Sequence, residues 1–252
     1  MTWSEGRSSE FIVRLWDVRR GTLIREFSKL LTPFEFFTNR NKKKFFKWSG
    51  NGEYFARVYY YAGDEAGKKN SMAIYHSVDG TSITKSVIKV PGIVNVAWSP
   101  KKAYLAYWIH GGQNLPTKVI IEKMPKREVV YQNLFYGTLD VEFFWHPTGN
   151  LLGYKVNSKV KGKIHSSLEI LRFDVDKNSV PAETVEIEEE VKAFDWEPIA
   201  PNRFTVISGA LPRLNVMFYA TGKKRGGQVK LLNKLEKKPF ENIHWSPKGK
   251  IC

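Results

Sequence analysis

The chain has 252 residues, 42% hydrophobic and 14% aromatic, enough for one large folded domain or two small ones and too apolar for global disorder. With 40 Lys and Arg against 25 Asp and Glu, the formal charge is +15, which points to a polyanionic partner, nucleic acid before lipid. The one cysteine, Cys252, leaves no internal disulfide, no apolar run reaches the ~18 residues of a membrane helix, and Met1 to Arg7 offers no signal peptide; the expected setting is the cytoplasm.

In chain order, residues 1–10 are polar and are expected to be a flexible N-terminal segment. Phe11 to Asp17 alternates as a strand, Arg19-Arg20-Gly21 is a turn, and Thr22 to Phe27 is a second strand. Trp16-Asp17 ahead of a turn is the pair that closes the third strand of a WD-type blade, so 11–27 reads as a half blade. Leu30 to Asn41 is aromatic and irregular and reads as a loop with room for one short helical turn. Whole blades are expected at 45–90, 93–134, 140–187 and 191–235, and a partial blade at 242–252. In the first, the fourth strand is placed at Ile83 to Val90. Ala62 to Asn70, with its Gly, Asp and Asn, is loop chemistry.

Each blade opens alike: an apolar strand ends in Trp, Ser-Pro or a near equivalent follows, then a turn and a second apolar strand. The clearest copy is Val94 to Pro100, with Tyr104-Leu105-Ala106-Tyr107 after it. The tryptophans are Trp48, Trp98, Trp145, Trp196 and Trp245, spaced by 50, 47, 51 and 49 residues. A period near fifty with short strands throughout marks a β-propeller with one four-stranded blade per repeat. Such sheets hide their edges by closing a ring. Two arrangements fit. A five-bladed ring would join 242–252 to the half blade and would lack a second strand there. The alternative, preferred here, is an arc cut from a larger ring.

Several blade-specific words carry a resemblance. Phe45 to Arg57, Ile74-Tyr75, Ala97-Trp98-Ser99-Pro100, Asn133-Leu134-Phe135, Gly153-Tyr154-Lys155-Val156, Ala193 to Pro198 and Ile207 to Arg213 resemble, in order and spacing, consecutive blades of the b-subunit family of eukaryotic translation initiation factor 3. The resemblance runs from about Phe11 to the end. It implies an all-β propeller of four-stranded antiparallel WD-like blades, here an arc of a larger ring of about nine blades, beyond the usual four to eight. It also implies a non-catalytic cytoplasmic scaffold. The implied partners are the small ribosomal subunit (ribosomal RNA and proteins), within the 43S preinitiation complex, and the other subunits of initiation factor 3, with no cofactor, small-molecule substrate or membrane. The propeller of initiation factor 2A shares the Trp repeats but fits Ala193–Pro198 and Gly209–Arg213 less well. A non-catalytic propeller of a peptidase is the remaining alternative.

Enzyme chemistry finds little support in the residues. The five histidines, His76, His110, His146, His165 and His244, fall in different blades without a second ligand at zinc spacing. No Gly-x-Ser-x-Gly elbow occurs, and Gln228 stands where a phosphate loop needs Lys. The repeat tryptophans could stack bases, but their shared blade position makes them core. The binding candidates are basic clusters placed in turns: Arg40 with Lys42, Lys43, Lys44 and Lys47; Lys155 with Lys159, Lys161 and Lys163; and Lys223, Lys224 and Arg225 with Lys230. Few aromatics interleave with them, which favours phosphate contact over base reading.

Overall fold

The structure, a computed structural model, describes residues 2–5, 11–27, 46–59, 71–83, 92–112, 115–160, 162–173, 180–199, 202–222, 228–239 and 242–249. Among them every regular element is a strand. Strands β1 (Thr2–Glu5), β2 (Phe11–Asp17) and β3 (Thr22–Phe27) make sheet 1, and β4 (Phe46–Trp48), β5 (Tyr54–Tyr59) and β6 (Ser71–His76) make sheet 2. Sheet 3 is β7 (Ile93–Trp98), β8 (Tyr104–Ile109), β9 (Thr117–Lys123) and β10 (Glu128–Phe135). Sheet 4 is β11 (Thr138–Trp145), β12 (Leu151–Val160), β13 (Lys163–Arg172) and β14 (Ala182–Ile187). Sheet 5 is β15 (Val191–Trp196), β16 (Arg203–Ala210), β17 (Arg213–Ala220) and β18 (Lys230–Lys238). Each sheet is an antiparallel meander in chain order.

Burial explains the sequence pattern. The two middle strands of a sheet are covered on both faces by neighbouring sheets, so they read as near-continuous apolar runs. β5 and β6 are buried at five of six positions. Outer strands have one covered face or none: β14 alternates, and β18 is exposed along its whole length, its leucines set among lysines. That basic rim suits an open edge, because charge discourages pairing with another chain.

Sheets stack face to face in order. Leu15 and Phe27 of sheet 1 pack on Phe55, Ala73 and Tyr75 of sheet 2. Met72 and Ile74 meet Ile93, Val96 and Leu105 of sheet 3. Trp108 and Ile121 meet Leu152 and Tyr154 of sheet 4. Leu168 and Ile170 meet Phe204 and Val206 of sheet 5, and Ile243 closes on Ile207, Leu214 and Val216. The first strands line up on the inside, β4 beside β7, β7 beside β11, β11 beside β15. In sheets 3, 4 and 5 the first strand shifts register against the second at the same place, after Ile93, Thr138 and Val191, a bulge repeated by the blade design.

Some expectations change. Thr2–Glu5, read as part of a flexible segment, pairs with β2 from Thr2 opposite Arg14 to Glu5 opposite Phe11. Sheet 1 therefore has second, third and fourth strands and is more than a half blade. The objection to the five-bladed ring, a missing second strand, falls with it. Among the described residues no apolar cluster joins sheet 5 or Ile243 to sheet 1, and 242–249 contains no strand. In sheet 2 the expected fourth strand begins with Ser82 bridged to Tyr75, and Ile83 N–H donates to Ile74 O at 2.9 Å. Its remainder, with Leu30–Asn41 and Ala62–Asn70, lies outside the described residues.

Candidate nucleic-acid interface

The turns after the repeat tryptophans all lie at one end of the sheets and touch one another. Gly50 N–H donates to Ser99 O at 3.2 Å, His146 Nε2 to Glu197 O at 2.9 Å, and Arg203 Nη2 to Gly249 O at 3.2 Å. The indoles form a second ladder. Trp145 Nε1 donates to Ala97 O at 3.3 Å, Trp196 Nε1 to Phe144 O at 2.7 Å, and Trp245 Nε1 to Asp195 O at 3.3 Å. Each acceptor is the residue just before the tryptophan of the preceding sheet. Trp245, though in no strand, is thus seated as the repeat requires. The tryptophans are not equally buried. Trp98 and Trp196 are buried, Trp145 and Trp245 are half-buried, and Trp48 is 44% exposed.

His146 and Glu197 occupy the repeat position that is Ser in Trp-Ser-Pro, and they make this end sensitive to pH. The Glu197 carbonyl can only accept, so His146 carries its proton on Nε2. Nδ1 then accepts from Thr148 N–H at 3.2 Å and Oγ1 at 2.8 Å. A second proton would break the Nδ1 bonds inside a buried site, and burial holds the imidazole below its usual value. The unfolded chain takes that proton below pH ~6.5 and the folded chain does not. The contribution is complete above that pH and is lost as pH falls toward the folded value. The melting temperature is therefore expected to drop between neutral pH and mildly acidic pH, and His146→Gln should flatten that drop. An unchanged slope in the variant would assign it elsewhere. Glu197 acts at lower pH: bidentate Arg203, with Nε at 2.8 Å and Nη2 at 2.6 Å, holds its carboxyl below the carboxylate range. Its contribution is present above the unfolded carboxylate value and is lost as pH falls through the lower folded value.

The basic candidates separate. Lys155 is corrected: it is 4% exposed, mid-strand in β12, and not in a turn. Its Nζ donates to Glu142 Oε1 at 3.1 Å and to Val191 O at 3.2 Å, bracing sheet 4 against sheet 5. Lys47 makes a similar brace between sheets 2 and 3, with Nζ donating to Asn95 Oδ1 at 2.8 Å and Val96 O at 2.6 Å. Lys159 and Lys163 are exposed at the β12–β13 turn, where Val160 pairs with Lys163 and Lys159 N–H donates to Gly137 O. Because successive strands are antiparallel, that turn lies at the end opposite the tryptophan turns. Lys230 is exposed in β18. Arg40, Lys42, Lys43, Lys44, Lys161, Lys223, Lys224 and Arg225 lie outside the described residues. The sequence reading passed over Lys101, Lys102, Lys123 and Lys126, two pairs that only the fold brings to one sheet end. Among the described residues no three His, Cys, Asp or Glu side chains are grouped to hold a metal, and no helix is long and apolar enough to cross a membrane.

These features define a WD-type β-propeller assembled from Trp-turn repeats. The chain is similar to the B subunit of eukaryotic translation initiation factor 3. It is 33% identical over 248 residues to the Drosophila pseudoobscura pseudoobscura protein and 31% over 250 to the Culex quinquefasciatus protein, each match covering 94% of this chain and 33% of the relative. The Xenopus laevis protein is 28% identical over 228 residues, 86% of this chain and 31% of the relative. The chain thus spans about a third of the length of the curated relatives it matches. The model of the family Eukaryotic translation initiation factor eIF2A matches residues 133–252, a span that includes Ala193–Pro198 and Gly209–Arg213. A crystal structure of a eukaryotic initiation factor superposes with a TM-score of 0.64 at 14% identity, over 98% of this chain and 54% of that one, which supports the fold.

Proposed function

We propose that the chain is a non-catalytic scaffold of translation initiation, a propeller segment that docks on the small ribosomal subunit in the cytoplasm as part of an initiation factor 3 assembly. The observation that carries the reading is the similarity to the B subunit of that factor along 94% of this chain. The charge of +15 agrees with a ribosomal RNA partner. The contacts it implies are lysines exposed in turns, whereas Lys155 and Lys47 are braces between sheets. The test is sedimentation with purified small ribosomal subunits across a salt series. Co-sedimentation that weakens steeply with salt is expected. Absence of the chain from the ribosomal peak at low salt would overturn the reading.

A further inference from the structure

We propose that the Trp-turn end of sheet 3, carrying Lys101, Lys102, Lys123 and Lys126, is a contact surface for the phosphate backbone of RNA. The fold builds it from two turns. Lys101 and Lys102 lie between β7 and β8, Lys123 ends β9, and Lys126 lies in the turn into β10. The turns are fastened together: Met124 N–H donates to Ala103 O at 2.8 Å, Lys123 pairs with Tyr104, and Lys102 N–H donates to Ser99 Oγ at 3.3 Å. Adjacent strands are about 4.8 Å apart, so four flexible cations share one small area. Lys101, Lys123 and Lys126 are exposed and Lys102 is half-buried.

The acid on β9 itself, Glu122, is already matched by an arginine. Glu122 points inward, 3% exposed, and accepts from Tyr107 Oη at 2.7 Å and from Arg127 Nε and Nη2 at 2.9 and 2.8 Å. Arg127 thereby neutralises the nearest acid without using a lysine. On the adjoining turns of sheet 2, Glu53 and Asp79 keep their charge but are held by their own turns, Glu53 accepting from Asn51 Nδ2 at 2.8 Å and Asp79 from Thr81 N–H at 2.8 Å and Oγ1 at 2.7 Å. Glu128, across from Lys123 in register, is the one exposed acid on the two turns. Among the described residues none of the four lysines pairs with a carboxylate. Neutralising phosphates would release their counterions, the usual source of affinity for such a patch. The surface lacks an exposed stacking ring on its own turns, so it holds backbone and reads no base.

This inference deepens the docking reading by naming a face, and its test uses free RNA so that the two can fail separately. The probe is a short unstructured RNA, bound to the parent chain, to a variant with all four lysines changed to Ala, and to the double variant Lys159→Ala with Lys163→Ala at the other end. Far-ultraviolet dichroism and melting check folding, and the four changes should leave both unmoved because exposed turn residues carry little packing. The quadruple variant should bind more than about tenfold more weakly at low salt, with the log–log salt slope shallower by about 0.7 for each phosphate no longer neutralised. The double variant should stay near the parent. Parental binding by a folded quadruple variant, an equal loss in the double variant, or no RNA binding by the parent would overturn the proposal. RNA binding through the four lysines without co-sedimentation with the small ribosomal subunit keeps this surface and removes the docking reading. Co-sedimentation with RNA binding indifferent to the four does the reverse.

Discussion

Gly50→Ala should be among the most damaging single changes in the chain. A Cβ on Gly50 would stand 1.9 Å from Pro100 O and 2.0 Å from its carbonyl carbon. Both partners are backbone, so no rotamer change relieves the overlap. The turn after Trp48 would have to lift off the turn after Trp98, breaking the Gly50 N–H bond to Ser99 O and opening the joint between sheets 2 and 3. The expected cost exceeds the ~3 kcal/mol of ordinary overpacking, because the strain falls on two main chains. Gly52→Ala is the control. Its φ of +74° is unfavourable for a side chain, yet nothing lies within 4 Å of the added carbon, so about 1–2 kcal/mol is expected. Urea melts of the two variants decide the matter. Equal midpoints would mean that these turns do not meet as described.

Trp196→Ala should cost about 3–5 kcal/mol, the range for removing a large buried side chain. Trp196 is 5% exposed, packs edge-on against Phe194 and Phe204, and donates to Phe144 O. Trp196→Phe keeps most of the apolar volume and leaves that carbonyl without its donor, which should cost about 1–3 kcal/mol. Trp48→Ala should cost far less than Trp196→Ala, since its ring is 44% exposed and leans on Phe55 at 5.0 Å. Thermal or chemical melts of the three variants give the comparison. A Trp48 variant as unstable as the Trp196 variant would show that repeat position alone, and not burial, sets the cost.

The blade plan is legible in the sequence because its signal is doubled: an apolar strand pair inside each repeat and a spacing near fifty between repeats. Sheets 3, 4 and 5 accordingly begin at Ile93, Thr138 and Val191, close to the repeat spacing. Thr2–Glu5 escapes such a reading because four residues with one apolar side chain carry no period; a strand so short is fixed by the neighbour it pairs with. Lys155 is misplaced for a related reason. A strand lysine between Tyr154 and Val156 reads as the start of the basic turn that follows, and only the pairing with β11 and the approach of sheet 5 supply the Glu142 carboxylate and the Val191 carbonyl that let a cation be buried. The lysine patch on sheet 3 is invisible along the chain because Lys102 and Lys123 are distant in sequence and adjacent only through the β8–β9 pairing. The equivalence of the tryptophans is the opposite error, a periodic signal taken for uniform burial.

Among the described residues four apolar clusters each join one sheet to the next, a fifth seats Ile243 on sheet 5, and none skips a neighbour. Such an assembly behaves as a one-dimensional array, in which stability is close to a sum of unit terms and junction terms between nearest neighbours. Among the described residues sheets 2, 3 and 4 are each joined on both sides and gain two junctions, and sheet 1 gains one. Amide exchange should therefore be slowest in the middle of the array and faster toward sheet 1. A weak junction also acts as a fault line: opening the seam at Gly50 would release sheets 1 and 2 as one unit and leave sheets 3 to 5 folded on each other. The chain is thus built to fail in pieces, and a partner that clamps both sides of a seam would tie those pieces into one cooperative body.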